Sequence, residues 1–107
     1  MQNFVFVKIP FADGEEISVD LTVSQVYGEK LNAHHAAKAD AHITVVQLID
    51  AEVEDEMVYT DAETSREEIR DDVTANLDYS VEVEFDRIII WQGNELPVFQ
   101  YVIKEIG

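Results

Sequence analysis

Apolar and polar residues alternate most regularly at positions 17–24, where Ile17, Val19, Leu21 and Val23 are separated by Ser18, Asp20, Thr22 and Ser24. A period of two predicts a strand with one buried and one wet face. Before it, residues 4–10 are apolar on both faces except at Lys8, which predicts a first strand that Pro10 ends or places at an edge. Asp13 and Gly14 supply the hairpin turn between the two. Residues 41–49 read A-H-I-T-V-V-Q-L-I, β-branched and free of Gly and Pro. That composition predicts a strand in the middle of a sheet. It runs straight into D-A-E-V-E-D-E at 50–56, and an imperfect alternation of Val53, Met57 and Tyr59 extends it to Thr60 as another short strand or a β-bulged continuation.

Helical spacing occupies two stretches. From Ser24 or Gln25 to about Lys38, Val26, Leu31 and the alanines near 33–37 form a weak apolar stripe. Ser65 followed by Glu68 is a capping box, and Ile69, Val73 and Leu77 lie at i, i+4 and i+8 on one face of a helix over residues 65–77. Glu67 and Glu68 fall in its first turn, where the macrodipole favours anions. Its apolar face is expected to pack on a sheet that contains residues 81–91. There Val81, Val83, Phe85, Ile89 and Trp91 alternate with acids and then become apolar on both faces, which predicts one strand. Gln92 to Glu95 form a turn, and residues 96–106 return as the partner strand with Phe99, Tyr101 and Ile103 on one face. The order predicts a single α+β domain over residues 1–107: an antiparallel or mixed sheet of five to six strands with two helices packed on one face.

Composition changes this picture mainly through charge. With 107 residues and 47% apolar content, the chain can bury a core and is too apolar to be a disordered acidic tail. It has no cysteine, which removes disulfides, thiolate metal sites and cysteine nucleophiles. No basic-then-apolar leader opens it and no apolar run approaches membrane length, so a cytoplasmic location without membrane contact is expected. The net charge is −16. No basic stripe is present to release counterions from a phosphate backbone, so direct nucleic-acid binding is disfavoured. Solubility, a high-salt habitat or a basic partner would each explain the charge.

Two constellations carry chemistry. On a strand, His42 and Thr44 would share one face, and an imidazole beside a hydroxyl can bind a phosphate oxygen and move a proton. The stretch Ala41-His42-Ile43-Thr44-Val45 resembles the H-x-T signature of the 2H phosphoesterases, the group that includes RNA 2′,5′-ligase-like proteins. Residues 81–91, the turn, and residues 98–105 are similar to the closing hairpin of one lobe of that family. The likeness covers roughly residues 41–105. It implies activity on cyclic or 2′,5′-linked phosphodiesters with His42 and Thr44 as catalytic residues. The family pairs two such motifs, and here Asp20-Leu21-Thr22 stands where the second would be. The resemblance therefore implies a degenerate lobe or a homodimer that assembles two His42–Thr44 pairs.

The second constellation is acidic. Between Asp50 and Asp86 the chain has 15 acidic residues against Arg66 and Arg70. Asp50, Glu52, Glu54, Asp55 and Glu56, with Glu67, Glu68, Asp71 and Asp72, are the candidate partner-binding residues. Such carboxylates can imitate a row of phosphates and dock on a basic protein surface, such as that of a nucleic-acid-binding protein, with fast, salt-sensitive association. Small viral inhibitors of nuclease defence systems use that device, a likeness of charge and not of sequence. A small acidic interaction protein, most concretely a non-enzymatic inhibitor and nucleic-acid mimic, is thus the leading expectation. No metal or other cofactor is expected. His34 and His35 are neighbours rather than an i, i+4 pair, and Asp13-Gly14-Glu15 is too short for a calcium loop.

Overall fold

A computed structural model of the chain describes residues 2–17, 19–60 and 63–107. Six strands and two helices follow in the order β1 (Phe4–Ala12), β2 (Glu15–Glu16), β3 (Thr22–Val23), α1 (Lys30–Tyr59), α2 (Arg66–Leu77), β4 (Tyr79–Val83), β5 (Arg87–Gln92) and β6 (Leu96–Glu105). All pairings are antiparallel, in the order β2-β1-β6-β5-β4, with β3 beside β2 on the same edge of β1. The fold is α+β, with six antiparallel strands in one sheet and two helices, as the order of elements predicts.

The first strand, the Gln92–Glu95 turn and the last strand lie where the pattern places them. Asp13 and Gly14 both take positive φ (54° and 83°) at the β1–β2 turn. The alternating segment 17–23 does not form a half-buried strand. Val19, Leu21 and Val23 are exposed, only Thr22 and Val23 pair, and Ser18 lies outside the described residues. Period two cannot separate such a strand from an irregular segment held at a sheet edge. The single strand expected at 81–91 is two, β4 and β5, folded back on each other around Phe85 and Asp86. The Glu84 N–H donates to the Arg87 carbonyl at 2.8 Å, an Arg87–Glu84 ion pair closes the turn, and Phe85 is exposed.

The largest correction concerns residues 41–49. They are the middle of α1, a 30-residue helix that also absorbs the short strand expected through Thr60. The helix expected from Ser24 or Gln25 begins only at Lys30. The β-branched residues Ile43, Thr44, Val45 and Val46 each cost less than about 0.7 kcal/mol of helix propensity. A continuous row at four-residue spacing outweighs that cost: Ala33, Ala37, Ala41, Val45, Ile49 and Val53. All are buried except half-buried Val45.

At 3.6 residues per turn, such a row winds by about 40° per step around the helix. It therefore serves two partners in succession. Ala33, Ala37 and Ala41 lie against Phe6, Ile88, Ile90, Tyr101 and Ile103 of the sheet. Ile49 and Val53 lie against Ile69 and Val73 of α2. The apolar face of α2 thus packs mainly on α1 and, among the described residues, meets the sheet at Tyr79, where β4 begins. Ser65 caps α2 by accepting from the Glu68 N–H at 3.2 Å, and Asp78 ends it in the left-handed conformation (φ 49°). A 30-residue helix is about 45 Å long. Only its first half lies on the sheet, so the molecule is elongated, 59 × 24 × 23 Å, with α2 and the end of α1 as an arm. No described helix is long and apolar enough to cross a membrane.

Candidate functional site

The helical state of residues 42–44 decides the fate of the His-x-Thr pair. Two residues apart on a helix, side chains point about 200° from each other. Thr44 is 4% exposed and faces the sheet, while His42 is exposed. The imidazole and the hydroxyl share no face. His35 is also exposed, and His34 uses Nε2 to meet the Glu84 carbonyl at 2.8 Å.

Thr44 belongs instead to a polar cluster that the sequence pattern does not reveal. Lys8 on β1 donates from Nζ to Thr44 Oγ1 at 2.6 Å and lies 3.2 Å from Asp40 Oδ2. Tyr101 on β6 donates its hydroxyl proton to Asp40 Oδ2 at 2.6 Å. Thr44 Oγ1 lies 2.9 Å from the Tyr101 hydroxyl and 3.3 Å from Asp40 Oδ2. Lys8 Nζ also sits 4.9 Å from the centre of the Phe99 ring and 5.6 Å from that of Tyr101, within cation–π range.

The electrostatics follow from this geometry. Burial opposes ionisation of Asp40, but hydrogen bonds from Tyr101, Lys8 and Thr44 and the Lys8 charge hold its carboxyl below the ordinary value. Burial, then the hydrogen bond to Asp40, pushes the Tyr101 hydroxyl well up. Of this cluster Lys8 and Asp40 line an open cleft of about 460 Å³, whose wall also includes Phe6, Tyr27, Phe99 and Asp20.

The acidic candidates collect on the arm. Asp50 and Glu54 are not free: Arg70 pairs with Asp50 and Arg66 with Glu54, clipping α2 to one side of α1. On the other side Glu52, Glu56 and Asp72 line a groove of about 410 Å³ with Thr60, Thr64 and Asn76. Burial and the Glu52 charge raise the Tyr79 hydroxyl nearby. Asp55, Glu67, Glu68 and Asp71 are exposed, and Glu67, Glu68 and Asp71 follow on the side of α2 away from Ile69 and Val73. Among the described residues, no group of three or more His, Asp or Glu is arranged to hold a metal ion.

Compared with known proteins, the chain matches no family model, no curated protein sequence and no solved structure.

Proposed function

We propose that this is a small acidic interaction protein, an inhibitor of the nucleic-acid-mimic type, which binds a basic protein surface through the α1–α2 arm. The observation that carries the proposal is the distribution of charge on the arm. Its two arginines pair with Asp50 and Glu54, which leaves the exposed carboxylates of Glu67, Glu68, Asp71 and Asp72 without an ion-pair partner among the described residues. Glu67 and Asp71, and likewise Glu68 and Asp72, are i, i+4 neighbours, about 6 Å apart along the axis. Like charges at that spacing destabilise a helix by roughly 0.2–0.5 kcal/mol per pair. The arm carries that cost on a surface where lysines would remove it, which favours a recognition role over a purely structural one.

A basic nucleic-acid groove fits this surface because steering by opposite fields raises association rates and suppresses acidic competitors. Phosphodiester chemistry through His42 and Thr44 gains no support from their placement on opposite sides of α1. The test is competition. A nucleic-acid-binding protein captured on this chain should be released by excess duplex DNA or RNA, since both would occupy one groove. Stable ternary complexes of partner, nucleic acid and this protein would contradict the mimic.

A further inference from the structure

The cleft beside the sheet shares no lining residue with the groove of the arm and has a chemistry of its own. Three donors, from Tyr101, Lys8 and Thr44, converge on a single oxygen of Asp40, Oδ2. Oδ1 receives none of them, and Asp40, with 39% of its side chain exposed, lines the cleft. Exposed Asp20 lines the same cleft, with no ion pair among the described residues. Lys8 supplies one positive charge against these two carboxylates, and its ammonium is engaged with Asp40, Thr44 and the Phe99 ring. The surplus is therefore negative. The remaining wall is mixed: Phe6, Tyr27 and Phe99 supply aromatic surface, and Thr22, Ser24 and Gln25 supply polar surface. The volume of about 460 Å³ suits a ligand group of side-chain size, within the roughly 300–1,000 Å³ of small-molecule sites.

We infer that this cleft is a receptor for a guanidinium group, held between the Asp20 carboxylate and Asp40 Oδ1 and packed against the aromatic wall. A guanidinium is planar, stays charged, presents a fork of donors to carboxylates and stacks on rings, and it is more weakly hydrated than an ammonium. The lowered Asp40 carboxyl is consistent with an acceptor that stays ionised at neutral pH. The inference does not depend on the arm, which the cleft does not touch.

The test is a titration of the isotope-labelled full chain, followed by amide chemical shifts. N-propylguanidine is compared with its neutral isostere N-propylurea and with the peptide acetyl-Gly-Arg-Gly-amide. Saturable shifts at Thr22, Ser24, Gln25 and Tyr27 are expected with the guanidine and not with the urea. Asp20 is exposed, so Asp20→Asn should keep a folded spectrum and weaken binding roughly tenfold, the effect of losing one charge-assisted hydrogen bond. A peptide that binds more tightly than the free guanidine marks an arginine side chain as the natural group; equal affinities mark a free guanidine compound. Equal binding of the urea, an unchanged affinity in Asp20→Asn, or unsaturable shifts centred on Glu67 and Asp71 would each overturn the site.

Discussion

Tyr101 and Asp40 join the sheet to the long helix through a 2.6 Å hydrogen bond in which the buried phenol of β6 donates to the carboxylate of α1. Tyr101 is fully buried, and its ring packs on Phe6 with centroids 5.6 Å apart. Tyr101→Phe keeps the ring and removes the donor. A hydrogen bond to a charged group contributes about 1.5–3 kcal/mol, and urea denaturation should show a loss in the lower part of that range because Asp40 is partly solvated. Unchanged stability would mean that Lys8 and Thr44 alone satisfy the carboxylate.

The same contact gives stability a pH dependence. The Asp40 carboxyl lies below its unfolded-state value of about 4. Its contribution is therefore fully present above about pH 4 and is lost as pH falls through the lower folded-state value. Glu84, hydrogen-bonded by Arg87, is lowered in the same direction, so the comparison that isolates Asp40 is wild type against Asp40→Asn. The gap between their denaturation midpoints should close on acidification below about pH 4. At the alkaline end Tyr101 is raised, so above about pH 10 the unfolded state ionises first and stability falls. A phenolate absorbance titration should show one tyrosine that ionises only with unfolding.

Much of the sheet was legible in the sequence because β1, β6 and the Gln92–Glu95 turn follow local rules of alternation and turn chemistry. The capped helix α2 was legible for the same reason, since Ser65, Glu68 and the Ile69–Val73 spacing sit within a few residues of one another. Helix α1 was not, because composition and period disagree between Ile43 and Val46. The signal that identifies it is the row from Ala33 to Val53, whose alanines are easily passed over as core residues. The cleft was illegible for a different reason. Lys8, Asp40, Thr44 and Tyr101 come from three elements and are up to 61 positions apart for a bonded pair, so no local motif unites them. Of the predicted site residues, the acids lie on several sides of the arm, with Asp50 and Glu54 in ion pairs and Glu52, Glu56 and Asp72 along its groove, and His42 and Thr44 point away from each other on α1.

The winding row on α1 implies that the arm has its own small core. Val53 is fully buried between α1 and α2. Val53→Ala should cost about 1.5–3 kcal/mol, from two lost methyl groups and the cavity left behind. Hydrogen exchange should place that loss in α2 and the last turns of α1, while amides of β1, β5 and β6 keep their protection. Uniform loss across the sheet would instead make arm and sheet one cooperative unit.

Asp71→Lys with Asp72→Lys separates recognition from folding. The substitutions turn two like-charge i, i+4 pairs into Glu67–Lys and Glu68–Lys pairs in the favourable orientation. Helix α2 should gain roughly 1 kcal/mol in total, with a higher midpoint of thermal unfolding. A destabilised variant would show that Asp71 or Asp72 has a structural role.

That double variant also serves the most direct measurement of the binding proposal, capture and association kinetics of a basic partner. Wild-type protein on a surface, at about 50 mM salt, should retain a strongly basic nucleic-acid-binding protein from a nuclease-treated extract, and about 500 mM salt should release it. The purified partner should then associate with the Asp71→Lys/Asp72→Lys surface at least about tenfold more slowly than with wild type. Identical capture and identical association rates on the two surfaces, at low and high salt alike, would contradict recognition through the acidic arm.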